Sequence, residues 1–275
     1  MVQQPEQDNP TLNATQRTGG STEDERLLQS PERPPESVHF TDTDPWRVFR
    51  IMGEFVEGFD LLARIGPAVT IFGSARVPET DPYYAQARET ARRMGEAGFA
   101  VITGGGPGIM EAANRGARDA GALSVGCNIE LPFEQGINRY VDVAINFRYF
   151  FVRKTMFVKY AEAFVIFPGG FGTLDELFEA MTLIQTGKVR DFPVILFGSA
   201  YWRGLLDWIR TTLLAEGKIS RDDVDLVVVT DSPEECVRVI EKCYENHCST
   251  TGRHDARKHP AAAGTPAEPE KHDAQ

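Results

Sequence analysis

Two hydrophobic periods alternate along most of the chain. Short continuous apolar runs at 68–72, 99–103, 123–128, 163–167, 194–197 and 226–230 read as strands buried on both faces. Between them, apolar residues recur at three- and four-residue steps. This predicts helices over 46–62, 81–96, 109–120, 147–160, 174 to near Gly187, 201–214 and 233–246. In 46–62, Phe49, Met52, Phe55, Val56 and Phe59 share one side, as expected of a helix packed on a main sheet. A further strand is expected at 140–144. This strand-helix alternation argues for a doubly wound parallel sheet, whose ligands sit beyond the carboxyl ends of the strands where strand order reverses.

Both ends break the pattern. Residues 1–40 are rich in Pro, Gln, Ser, Thr, Asp and Glu, and 249–275 in Ala, Pro, Lys and His, so two unfolded tails are expected around one domain at 41–248. No apolar stretch approaches the roughly 20 residues that cross a bilayer, and no basic-then-apolar secretory signal opens the chain. A cytoplasmic protein without a membrane partner is expected. Cys127, Cys236, Cys243 and Cys248 contain no C-x-x-C pair, which argues against zinc and a disulfide framework. His39, His247, His254, His259 and His272 lie in or beside the tails. No interior imidazole is then expected for a Ser-His-Asp triad, a Cys-His pair or a metal cluster. The net charge of −11, with no basic stripe, makes polymeric nucleic acid a poor partner.

What remains is a phosphate-binding pattern. Gly104-Gly105-Gly106-Pro107-Gly108 and Pro168-Gly169-Gly170-Phe171-Gly172-Thr173 each follow a strand-like run and open a helix. A helix start offers unpaired N–H groups and about half a positive charge, and glycine lets an anion approach the backbone. Gly73-Ser74-Ala75-Arg76 ends the first strand at the same edge, and Arg76, Arg153 and Lys154 are candidate sources of local positive potential. The first turn departs from G-x-G-x-x-G, which argues against a nicotinamide dinucleotide. Structural readings stand beside each feature. Thr173 and Glu176 have the spacing of a capping box, Arg153-Lys154 that of a solvated helix face, and Phe150, Phe151 and Phe157 suit a core or a subunit interface.

Taken together, the motifs resemble those of a known family. Phe151-Val152-Arg153-Lys154-Thr155-Met156-Phe157, followed by Pro168-Gly169-Gly170-Phe171-Gly172-Thr173-Leu174-Asp175-Glu176, is similar to the paired arginine-lysine and P-G-G-x-G-T-x-x-E motifs of the Lonely Guy phosphoribohydrolases. Gly73 to Arg76 and Gly104 to Glu111 resemble that family's two earlier loops. The resemblance covers about 45 to 245, and the tails and N-terminal helix suggest the larger bacterial subgroup. It implies a Rossmann-like α/β fold of three layers, α/β/α. It also implies hydrolysis of the N-glycosidic bond of nucleoside 5′-monophosphates such as AMP or cytokinin nucleotides, releasing base and ribose 5-phosphate. Arg153 and Glu176 match the catalytic pair. Gly73, Ser74, Arg76, Gly104, Gly105, Gly106, Gly108, Lys154, Gly169, Gly170, Gly172 and Thr173 match positions around the phosphate and nucleotide.

The resemblance calls for no cofactor or metal. It implies a nucleoside monophosphate as partner and at least a homodimer, with hexamers known in the larger subgroup. Phe151 stands where plant-type members have histidine, a departure that bears on cytokinin preference. In an oxocarbenium-like reaction a carboxylate beneath the ribose stabilises charge or activates water. The helix dipole is expected to keep Glu176 ionised for that role, with Arg153, a poor acid, orienting it or stabilising the departing base. Asp175 is the competing carboxylate. Two other classes are a non-catalytic nucleotide or molybdenum-cofactor binding protein of related fold, and an amino-acid decarboxylase. A pyridoxal-phosphate enzyme needs a Schiff-base lysine, commonly beside a histidine, and no interior histidine is expected here.

Overall fold

A computed structural model describes residues 21–28, 39–131 and 136–251. The helices are α1 (Glu23–Leu28), α2 (Asp44–Leu62), α3 (Pro82–Glu96), α4 (Ile109–Asp119), α5 (Phe150–Tyr160), α6 (Phe171–Gln185), α7 (Ser199–Trp208), α8 (Arg221–Val224) and α9 (Pro233–Thr251). The strands are β1 (Ala68–Phe72), β2 (Ala100–Thr103), β3 (Ser124–Ile129), β4 (Val143–Phe147), β5 (Ala163–Ile166), β6 (Val194–Phe197) and β7 (Val227–Thr230). Local chemistry explains several boundaries. Asp81 caps α3 by accepting the Tyr83 N–H at 2.8 Å, Pro82 fills the first helical position, and Gly98 follows with φ 86°.

All seven strands pair in parallel, in the order β4-β3-β2-β1-β5-β6-β7. Alternate residues of the central strands feed two cores, because successive side chains point to opposite faces. Phe72, Phe164, Ile166 and Leu196 pack with α2, α5, α6 and α7, and Val69, Ile71, Val165 and Ile195 pack with α3, α4 and α9. The sheet is thus the middle of three layers, as expected of a Rossmann-like α/β fold. Phe72 meets Phe157 and Phe164 edge-on, with centroids 5.0 and 4.9 Å away, tying α5 to the sheet centre.

Four expectations need correction. The fourth strand lies at Val143–Phe147 rather than 140–144, because Ile145 and Phe147 supply the inward side chains and Phe147 pairs with Ile129. The next helix accordingly starts at Phe150, three residues later than expected. In α2, the side bearing Phe49, Met52, Val56 and Phe59 is exposed, while Glu54, Gly58 and Leu62 are buried and Ile51 and Phe55 pack on the core. Finally, Glu23–Leu28, inside the segment expected to be unfolded, is helical. Leu27 packs on the core there, and Arg50 binds Glu23 at 3.0 Å. The rest of the expected tails lies mostly outside the described residues.

Strand order reverses between β1 and β5, so the chain leaves these neighbouring strands in opposite directions. Their carboxyl ends carry Gly73 to Arg76 and Pro168 to Thr173, and β2 ends beside them in the first glycine turn. The crevice favoured for ligands in such sheets is therefore lined by the three loops singled out from sequence. No helix among the described residues is long and apolar enough to cross a membrane.

Candidate active site

Backbone hydrogen bonds join the three loops. The Ser74 N–H donates to the Pro168 carbonyl at 3.0 Å, and the Ile109 N–H donates to the Ser74 carbonyl at 3.1 Å. Such close passage requires glycine at 108, where φ is 68° and a Cβ would collide with the Ser74 carbonyl oxygen. The first glycine turn rests on a polar network. Asn138 donates through Nδ2 to the carbonyls of Gly105 and Gly106, both at 3.0 Å, and to Asn114 Oδ1 at 2.9 Å. Buried Thr103 donates to the same Asn114 oxygen at 2.7 Å and accepts the Gly105 N–H at 2.9 Å.

The second turn opens α6 with Gly170 as N-cap, and no side chain caps that end. Thr173 is then the third helical residue and Glu176 the sixth, so the capping-box reading fails. Both side chains are buried instead. Thr173 packs so closely on Gly169 that a Cβ there would overlap its hydroxyl. Tyr201 steadies the turn from α7 by donating its hydroxyl to the Gly169 carbonyl at 2.6 Å. At α4 the N-cap is Gly108, again without a side-chain cap. Two helix starts with glycine at the cap suit an anion.

Beside them lie Arg153 and Glu176. The Arg153 guanidinium stands over the rings of Phe150 and Phe157, 4.9 and 5.5 Å from their centroids. Its Nε is enclosed and has no hydrogen-bond partner among the described residues, and the same holds for Glu176 Oε2. Burial pushes the Arg153 pKa down, with Glu176 the leading charge that opposes this. Burial likewise lifts the Glu176 carboxyl from 4.5 to about 7, against the pull of Arg153 and then Lys154. The expectation that the helix dipole keeps Glu176 firmly ionised therefore gives way to desolvation, which poises the group near neutrality.

Lys154, next along α5, has left the solvent and forms ion pairs with Asp175 at 3.0 Å and Glu179 at 2.8 Å. Asp175 is thus an exposed carboxylate held by a lysine, while Glu176 is 4% exposed and points inward. Burial thus distinguishes the adjacent acids that periodicity leaves alike.

Comparison with known proteins fits this geometry. The family described as "Possible lysine decarboxylase" matches residues 110–240. The cytokinin riboside 5′-monophosphate phosphoribohydrolase of Mycobacterium tuberculosis is 30% identical over 164 residues, 57% of this chain and 87% of that protein. The chain belongs to this phosphoribohydrolase family. The Arabidopsis thaliana member LOG1 is 36% identical over 96 residues, but that match spans 34% of this chain and only 44% of the plant protein. Among solved structures, the X-ray structure of TM1055, a structural genomics target, superposes with a TM-score of 0.50 at 26% identity. It covers 64% of this chain and 99% of that one.

Set against the family's motifs, the fold brings Gly73, Ser74, Gly104, Gly105, Gly106, Gly108, Gly169, Gly170, Gly172 and Thr173 to one end of the sheet. Arg76 is exposed there, its backbone N–H donating to Ser74 Oγ at 3.1 Å. Lys154 is engaged by acids rather than open to a phosphate. Sequence reasoning missed Thr103, Asn114, Asn138 and Tyr201. Asn114 had a signal, a polar residue among Ala112, Ala113 and Ala117 on the inward side of an alanine-rich helix. Asn138 had none, for it lies in a segment without periodicity. Among the described residues, no group of His, Cys, Asp or Glu side chains is placed to hold a metal.

Proposed function

We propose that the chain hydrolyses the N-glycosidic bond of nucleoside 5′-monophosphates, AMP or a cytokinin riboside 5′-monophosphate, to free base and ribose 5-phosphate. The observation that carries this reading is the pair of buried Glu176 and half-buried Arg153, each with an enclosed, unpartnered polar atom, beside a helix that opens in an uncapped glycine turn. The 5′-phosphate sits at the N-termini of α6 and α4. Its ribose then lies within reach of Glu176, two helical turns or less from the phosphate site.

The C1′–N bond breaks with its electron pair moving to the base, leaving an oxocarbenium-like ribose. Ionised Glu176 stabilises that charge and takes a proton from the water that adds to C1′. Arg153 remains protonated and hydrogen-bonds the departing base or the phosphate; the base is neutralised by a proton delivered from solvent. The two phosphoribohydrolases named above carry this activity in their names, which supports the reading.

The test is release of free base from AMP, GMP, CMP and isopentenyl-AMP, beside Glu176→Ala. Release that the variant loses supports the reading and ranks the bases. Phosphate-dependent binding with no release from any of the four favours the binding-protein class instead.

The acting form in this proposal is a homodimer. Val48, Phe49, Met52, Val56 and Phe59 of α2 and Phe150 and Phe151 of α5 are exposed large apolar side chains on two helices that pack together. That many exposed large apolar side chains on two adjoining helices are unusual on a monomer.

A further inference from the structure

The first turn of α5, which carries Arg153, is held by two carboxylates from elsewhere in the chain. Glu54 of α2 is 5% exposed and accepts the Arg148 N–H through both oxygens, at 3.2 and 3.1 Å, and the Tyr149 N–H at 3.4 Å. Asp24 of α1 accepts the Phe150 N–H at 3.0 Å. No local side chain caps this helix, whose N-cap is Tyr149, so its first N–H groups depend on these distant acids. The neighbouring Glu23 anchors α1 at the same place, accepting from Arg50 at 3.0 Å and from the Tyr149 hydroxyl at 3.4 Å.

Phe150 links the cap to the chemistry. Its N–H is the one that Asp24 accepts, and its ring is one of the two beneath the Arg153 guanidinium. Asp24 also belongs to the set of charges that act on Arg153, with Glu176, Cys127 and Asp175 ahead of it. An acid at a helix N-terminus is favourable on both hydrogen-bond and dipole grounds. Glu54 is unused by the proposed reaction and costly to bury, and fixing this helix end accounts for its retention inside the protein.

We propose that Asp24 and Glu54 are positioning residues for Arg153, so that the N-terminal helix α1 is a working part of the active site. The inference rests on the phosphoribohydrolase reading for its kinetic consequence and on hydrogen-bond geometry for its structural one. Both are measured on full-length protein, with Asp24→Ala, Asp24→Asn and Glu54→Gln beside the unmodified chain.

Asp24→Ala should speed amide exchange at residues 150–153 and lower kcat for base release from AMP, each by roughly five- to tenfold, while KM moves less than about twofold. Asn is as good a cap as Asp, so Asp24→Asn should restore both. Glu54→Gln should change both quantities in the direction of Asp24→Ala. Unchanged exchange in Asp24→Ala overturns the proposal, and so does faster exchange at unaltered kcat, or a loss of kcat that Asp24→Asn does not restore. If the unmodified protein releases no base, the functional reading fails on its own. Exchange then decides together with AMP affinity by calorimetry: weaker binding in Asp24→Ala, recovered in Asp24→Asn, supports positioning, and unchanged binding overturns it.

Discussion

Glu176 meets two opposing demands with one side chain. Its burial makes the ionised form costly, and its pKa of about 7 leaves it ready to take a proton at neutral pH. If the carboxylate is the working form, kcat/KM should fall about tenfold per unit as pH drops below 7. A profile flat from pH 5 to 8 would remove Glu176 as the base. Stability follows the same titration with its own sign. The folded state holds a proton that the unfolded chain releases from 4.5 upward, so folding stability declines as pH rises from 4.5 to 7 and is level beyond. Glu176→Gln should therefore be more stable than the unmodified protein at pH 8, by on the order of 2 kcal/mol, and should lose that advantage below pH 4.5. Urea denaturation at the two pH values measures it. The motif exposed Glu176 as a candidate in the sequence, but not its environment: adjacent Asp175 and Glu176 differ only in which way the helix turns them, and that depends on packing against α5.

At the scale of elements, the two glycine turns work because other pieces hold them. Gly108→Ala must place a methyl against the Ser74 carbonyl in a left-handed conformation, and should cost roughly 2–3 kcal/mol of folding stability. A chemical denaturation midpoint within error of the original would show that the loops have room to part. Asn138→Ala removes three side-chain hydrogen bonds and leaves the Gly106 carbonyl without its donor, while the Gly105 carbonyl keeps the backbone N–H of residue 138 and Asn114 keeps Thr103, a loss of about 1–3 kcal/mol. Its kinetic mark should be a KM for AMP raised more than kcat is lowered, because in the proposed reading the first turn binds the nucleotide and takes no part in the reaction. Most elements were legible because a strand buried on both faces is a continuous apolar run, whereas a helix keeps its 3.6-residue period. The fourth strand was misplaced by three residues for a physical reason. It lies at the sheet edge, where Ala144 and Asn146 face outward and its apolar run is broken. The capping of α5 was not legible at all, since Glu54 and Asp24 reach it from 94 and 126 residues away.

For the whole molecule, the surface of α2 carries the argument. Periodicity groups Phe49, Met52, Phe55, Val56 and Phe59 on one side expected to meet the sheet, but of these only Phe55 packs on the core. Instead the stripe of Glu54, Gly58 and Leu62 is buried and α2 packs on α5, where Gly58 admits Met156 so closely that a Cβ would lie 2.9 Å from its terminal methyl. Turning that stripe inward leaves Phe49, Met52 and Val56 outside, 60%, 55% and 67% exposed. A second copy covering them would bury the patch and brace the α2–α5 pair that presents Arg153. The full-length protein should then sediment at twice the chain mass, and Phe49→Glu combined with Val56→Glu should reduce it to the single-chain mass. Six chains that the same double variant breaks down would keep α2 as an interface within a larger assembly. An unmodified protein that sediments as one chain at micromolar concentration would mean that α2 bears its apolar face in water, and the dimer would be withdrawn.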